Sequence, residues 1–202
     1  FPNIICFKAD NNYPFTSDIY RSVGSYLART YAHGALALTP ETLTILTQIF
    51  EVGNRHVPFD LLLQGMLSFS WTSFYLEVYR CFENVYAFTR LNRVTDIRPV
   101  GKSLRDLAIM LEKELTWRPR EEEALASILR FCSQSKLEAL YVAICGAGEP
   151  TEYHSAAAKH VYSTRNELVH FRPRMAAVKK NDAEWDLQIQ ALFDCLDEIY
   201  GK

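Results

Sequence analysis

Apolar residues recur at steps of three and four along most of this chain, which is the spacing of a buried helix face. The clearest stripe lies between 151 and 173 and comprises Tyr153, Ala157, Val161, Thr164, Leu168 and Phe171. Thr151 and Glu152 suit the first turn of this helix, because free N–H groups and the helix dipole favour oxygen acceptors and negative charge. Pro173 predicts its end, since the residue before a proline is pushed out of the helical region.

The same spacing, with its start and stop signals, predicts the other helices. A cap at Thr16 or Ser17 begins a helix that runs to about 33, and Thr39 with Pro40 begins a second that ends at Gly53. The first should bury Ile19, Val23, Tyr26, Leu27 and Tyr31. From 59 to about 94 the pattern fits one helix or two that meet near 68–73. Further helices are expected at 103–117, 120–143 and 182–200.

Alternating strand patterns are nearly absent from the sequence. Residues 4–7 could form one short strand, followed by a turn at 8–14. We therefore predict an all-α fold, an antiparallel helical bundle with short connections and additional N-terminal helices. We expect 1–55 to be an N-terminal helical extension and 56–202 to be the bundle.

Composition narrows the class of protein. The 202 residues are 49% hydrophobic and 23% charged, as in ordinary globular domains, and the net charge of −2 argues against a chain that coats nucleic acid through bulk charge. Five scattered cysteines without a C-x-x-C pair predict free thiols in a reducing, cytoplasmic compartment, with no metal and no cofactor. No run of apolar residues predicts a membrane span. Because the chain begins with Phe1, we expect it to be a fragment or a processed product, with a possible upstream sensor domain or an antitoxin partner.

The side of the 151–173 helix that faces away from the apolar stripe has an unusual composition. It carries Tyr162, Arg165, Asn166, Val169 and His170. A solvated helix face is normally charged throughout, whereas this one mixes apolar, cationic, amide and imidazole groups. We expect this face to meet a second helix, a second subunit or a ligand.

The segment Arg165-Asn166-Glu167-Leu168-Val169-His170 resembles the R-x4–6-H motif of HEPN domains, which lies near the end of a late helix and often has a polar residue after the arginine. A second segment, FYLEVYRCFENVYAF at 74–88, resembles the aromatic-rich early helix of the Apea-like HEPN branch, with Glu83 at its acidic position. The resemblance covers about 59–200. It implies a HEPN-type bundle, RNA as a partner and a homodimer formed through the face of Tyr162, Val169 and His170.

The resemblance also implies metal-independent cleavage of RNA, often as a toxin or antiviral-defence effector. His170 would take the proton of the ribose 2′-OH, since histidine ordinarily titrates near neutrality, and Arg165 would bind the phosphate with its planar fork. Asn166 would orient the imidazole or bind phosphate. Glu83 would hold Arg165, with Glu77 as the competing carboxylate. The alternatives are a non-catalytic HEPN-like module for RNA or protein binding, and a helical domain unrelated to HEPN.

Overall fold

A computed structural model describes residues 17–32, 34–87, 109, 120–170 and 178–201. Within these ranges the chain forms eight helices and no strand, which confirms the all-α prediction. The helices are α1 (Ile19–Arg29), α2 (Pro40–Val52), α3 (Phe59–Met66), α4 (Trp71–Glu83), α5 (Glu121–Leu129), α6 (Gln134–Cys145), α7 (Tyr153–Val169) and α8 (Asp182–Tyr200). The predicted strand at 4–7 and, except for 109, the predicted helix at 103–117 lie outside the described residues.

Local capping signals fix the ends of α2 and α8. The Thr39 side chain accepts a hydrogen bond from the Thr42 N–H, Pro40 follows it, and Gly53 ends α2 as predicted. At α8, the Asn181 side chain accepts from the Glu184 N–H while the Glu184 carboxylate accepts from the Asn181 N–H. This capping box satisfies two N–H groups that the helix leaves free, so α8 begins where the sequence predicts.

Two long predicted segments are interrupted. Residues 59–83 form two helices, α3 and α4, because the Ser70 side chain caps a new helix by accepting from the Ser73 N–H. The prediction of a single helix over 120–143 is wrong, since α5 ends at Leu129 and α6 begins at Gln134. The Ser133 N–H and hydroxyl both donate to the Glu198 carboxylate of α8, which holds the turn between them.

The predicted buried face of α1 is wrong in part. Ile19, Val23 and Tyr26 are exposed, and the residues that α1 buries are Gly24, Ser25 and Ala28. A Cβ at Gly24 would overlap the ring of Phe50 on α2. The backbones of α1 and α2 therefore approach closely along a side of small residues, which the apolar pattern does not mark.

α4 and α8 form the centre of the bundle. Their contact includes the ring pairs Phe74–Phe193, with centroids 5.7 Å apart, and Tyr75–Trp185, at 5.6 Å. α8 also packs against α2, α5 and α6, and α4 packs against α3, α5 and α7. One continuous core joins both predicted parts of the chain and includes Phe50 of α2. The division at residue 55 stays a prediction.

Candidate functional site

Arg165 lies where α4, α5 and α7 meet. Its Nη2 is 3.6 Å from Glu83 Oε1 at the end of α4, and its Nη1 is 3.6 Å from Glu121 Oε2 at the start of α5. Only 20% of the Arg165 side chain is exposed. The side of α7 that carries Arg165 therefore meets other helices of the same chain, which is one of the three outcomes expected for it, and two carboxylates of those helices face the guanidinium.

The guanidinium of Arg165 lies over the ring of Tyr79, which is itself hydrogen-bonded to Tyr86. The Arg165 guanidinium carbon lies 5.6 Å from the centroid of the Tyr79 ring, within the range of a cation–π contact. The Tyr86 hydroxyl donates to the Tyr79 hydroxyl at 2.8 Å. Burial raises the pKa of Tyr79 and that of Tyr86 above the ordinary tyrosine value, so both hydroxyls are neutral near pH 7.

Glu83 is a half-buried carboxylate with an unusual charge environment. Burial raises its pKa above the ordinary glutamate value; the positive charge of Arg165 opposes this rise and the negative charge of Glu121 adds to it. Glu77, the competing residue, instead accepts two hydrogen bonds from Arg80, at 2.8 and 3.1 Å. Of the two glutamates, Glu83 is thus the one placed beside Arg165. A role for it in a reaction stays a prediction.

His170 lies just outside the helix that was predicted to carry it. α7 ends at Val169, and His170 has extended backbone angles, φ −106° and ψ 102°. Its backbone N–H donates to the Asn166 carbonyl at 2.9 Å, and its side chain is exposed. Arg165 and His170 therefore do not occupy two flanks of one helical face, because the helix ends one residue before the imidazole.

Asn166 is engaged with the arginine. Its side-chain Oδ1 accepts a hydrogen bond from Arg165 Nη1 at 3.0 Å. The structure thus brings Arg165, Asn166 and Glu83 together, and it places the exposed His170 imidazole at the end of the same helix. A role for Asn166 in orienting the imidazole stays a prediction.

The predicted dimer face has a mixed exposure. Val169 is 48% exposed and His170 is also exposed, whereas Tyr162 is partly buried and packs against the core of its own chain. An exposed valine beside an exposed histidine at a helix end remains compatible with a subunit contact. Tyr162 contributes mainly to the fold of the bundle.

The sequence does not indicate two members of this site, Glu121 and Tyr79. The run Glu121-Glu122-Glu123 reads as an acidic first helical turn, and Tyr79 reads as one of many core aromatics. No spacing within the chain links either residue to Arg165. Their proximity arises from the packing of α4 and α5 against α7.

Among the described residues, no three His, Cys, Asp or Glu side chains are grouped so that they would hold a metal ion. None of the helices in the described ranges combines the length and the apolar composition that crossing a membrane requires. Comparison of the chain with protein-family models, with curated proteins and with solved structures gives no match.

Proposed function

We propose that this chain is a metal-independent endoribonuclease of HEPN type that acts as a homodimer. The observation that supports this most directly is the proximity of Arg165 to Glu83, 3.6 Å apart on helices far from each other in the chain. These are the arginine and the acidic residue that the HEPN resemblance singles out. A carboxylate beside the guanidinium restricts the rotamers of the arginine and fixes its direction. Stabilisation of a transition state requires a cation that is held in one position in this way.

The proposed reaction needs a base and a fixed cation. The His170 imidazole takes the proton of the ribose 2′-OH, and the 2′ oxygen attacks the adjacent phosphorus. Arg165 stabilises the negative charge that develops on the non-bridging oxygens. The 5′ oxygen leaves and takes a proton from the imidazolium of the second copy. The products are a 2′,3′-cyclic phosphate and a 5′-hydroxyl, and no metal takes part.

The dimer supplies the second imidazole of this scheme. Each chain ends α7 with one exposed His170, next to the exposed Val169. If two copies meet through Val169, their two imidazoles lie on opposite sides of a shared groove, and one acts as base while the other acts as acid. The HEPN resemblance suggests that the enzyme acts as a cytoplasmic toxin or antiviral-defence effector. An upstream sensor domain or an antitoxin would control it.

A non-catalytic HEPN-like module is the second candidate function. It is favoured by the two carboxylates that face Arg165, which together offset its positive charge. An arginine neutralised in this way stabilises the contact between α4, α5 and α7 even when no RNA is present. Such a module would bind RNA or a protein partner through the exposed end of α7 without cutting it.

An RNA cleavage assay in EDTA separates the two candidates. The wild-type protein is incubated with a mixed RNA pool beside His170→Ala and the control His160→Ala, which changes another exposed histidine of α7. We expect the wild type and His160→Ala to produce 2′,3′-cyclic phosphate ends, and His170→Ala to be at least about 100-fold slower. Arg165→Lys, which keeps the charge but not the fork, should also lose most activity.

Cleavage that survives unchanged in His170→Ala excludes the proposed base. If neither the wild type nor His160→Ala cleaves RNA, and gel-shift measurements show RNA binding by both, the non-catalytic module is the better description. Loss of activity in His160→Ala as well as in His170→Ala would point to damage of α7 and would count against a specific role for His170.

A further inference from the structure

Both terminal nitrogens of Arg165 are already engaged within the chain. Nη2 faces Glu83, while Nη1 faces Glu121 and donates to the Asn166 side chain at 3.0 Å. An arginine grips a phosphate through two parallel N–H···O bonds. A phosphodiester that binds Arg165 through Nη1 therefore competes with Glu121 and Asn166 for that nitrogen.

Glu121 lies as far from the guanidinium as Glu83 does, but it is the one with a buried oxygen that forms no hydrogen bond within the described residues. Its Oε2 atom is buried and accepts no hydrogen bond from any described residue, and it lies 3.6 Å from Arg165 Nη1. A charge-assisted N–H···O bond is typically about 2.8 Å long, so this carboxylate is near the cation without being bonded to it. A buried carboxylate oxygen in this state is costly, and its displacement loses no hydrogen bond.

The local charge also opposes anion binding while Glu121 remains. Two carboxylates surround one guanidinium, and the neighbouring Tyr79 and Tyr86 hydroxyls are neutral. Arg80 of α4 pairs with Glu77, with Nη1 and Oε1 2.8 Å apart, so this pair adds no net charge to the cluster. The cluster thus carries an excess of negative charge, which repels a phosphate oxygen.

We propose that Glu121 is a gate on Arg165: it occupies the phosphate position on the guanidinium, and a phosphodiester binds only when Glu121 is displaced. The identity of the anion rests on the function proposed above, whereas the gate itself rests on the geometry of the cluster. Glu83 has the other role and keeps the guanidinium in place. Glu121 is a positioning residue in this scheme, since it acts on RNA only through Arg165.

The test measures binding and does not depend on cleavage. The ligand is a 2′-O-methyl oligouridylate, which has no 2′-OH to attack and whose phosphodiester charge is constant between pH 5 and 8. Its dissociation constant is measured for the wild type, Glu121→Gln and Glu122→Gln. Glu122 is the matched control, because it is the next residue of the same helical turn, is exposed, and its loss changes the net charge equally.

We expect Glu121→Gln to bind the oligouridylate about tenfold more tightly than Glu122→Gln at low ionic strength. Glu121→Asp, which restores the charge, should return the affinity toward that of the wild type. Adding Arg165→Lys to Glu121→Gln should remove most of the gain. Equal affinities for Glu121→Gln and Glu122→Gln, or weaker binding by Glu121→Gln, would overturn the gate.

Circular dichroism and urea unfolding check that each variant is folded. If Glu121→Gln unfolds, Glu121→Ala is compared with Glu122→Ala in the same assay, since alanine also removes the carboxylate and is a better helix former. Glu121→Ala should bind the oligouridylate more tightly than Glu122→Ala, and equal affinities would overturn the gate. Absence of RNA cleavage by the wild type would reject the nuclease proposal and leave these binding results to decide the gate.

Discussion

Arg165 on α7 and Glu83 on α4 meet with Nη2 and Oε1 3.6 Å apart, yet the pKa of Glu83 is raised and not lowered. A positive charge at this distance ordinarily favours the ionised carboxylate. Burial is the larger effect here, and the negative charge of Glu121 adds to it. The surroundings of Glu83 therefore favour its protonated form more than the unfolded chain does, which has a measurable consequence for stability.

Glu83→Gln tests this through the pH dependence of unfolding. The folded-state pKa of Glu83 lies above its unfolded-state pKa, so the folded chain binds this proton more tightly. Glu83 therefore lowers the stability of the wild type as the pH rises from the unfolded-state pKa through the folded-state pKa. Gln does not titrate. Urea titrations should therefore show that Glu83→Gln gains stability relative to the wild type between pH 4 and pH 7, as an increase in the difference between their unfolding free energies. The opposite trend would show that Arg165 outweighs burial.

Glu51 is the matched control, because its pKa is shifted in the opposite direction from that of Glu83. Hydrogen bonds from Arg29 lower its pKa, so its contribution to stability is present above the unfolded pKa and is lost as the pH falls through the folded one. Glu51→Gln should lose about 1 kcal/mol at pH 7, because Arg29 is largely exposed, and less near pH 3. If both variants show the same trend, local pKa differences are not its cause.

Asp186 joins α8 to the start of α2. This buried carboxylate accepts hydrogen bonds from the Thr39 N–H at 3.1 Å, the Thr39 hydroxyl at 2.6 Å and the Thr42 hydroxyl at 3.1 Å. Asp186→Ala leaves these donors buried without an acceptor, so we expect a loss of about 3 kcal/mol in unfolding free energy. Asp197→Ala, on the same helix, should lose less than about 1 kcal/mol. Equal losses of unfolding free energy in the two variants would mean that removing a negative charge from α8, and not breaking these hydrogen bonds, is the cause.

Gly65 allows α3 to approach α4 closely. A Cβ at this position would overlap the ring of Phe74, which is fully buried. Gly65→Ala should therefore destabilise the fold by about 2 kcal/mol even though alanine is the better helix former. Gln64→Ala changes the adjacent exposed residue and should be nearly neutral in the same urea titration. A gain in stability for Gly65→Ala would show that Phe74 moves easily.

Val169 is the residue on which the proposed dimer is tested. Val169→Glu places a charge on the exposed end of α7, and we expect it to convert dimers into monomers in light scattering. Val142→Glu is the control, because Val142 is an equally exposed valine, 53% against 48%, on α6. The interface lies elsewhere if Val169→Glu remains dimeric, or if Val142→Glu is the variant that dissociates.

Local signals in the sequence were sufficient to predict the all-α fold and several helix ends. Thr39 with Pro40, Gly53 and the Asn181–Glu184 box each act within one helical turn, so the local sequence is sufficient to place them. The choice of Glu83 as the acidic partner came from the HEPN resemblance, and the structure places it beside Arg165. The nuclease function stays a proposal.

The identity of the buried helix faces and of the groups around Arg165 depends on how the helices pack against one another. α1 turns its small residues to Phe50, the turn before α6 depends on Glu198, and Glu121 reaches Arg165 from another helix. Each of these contacts joins residues far apart in the chain. Helix periodicity reports how apolar positions are spaced within one element, and it carries no information about the shape or charge of the element that will pack against it.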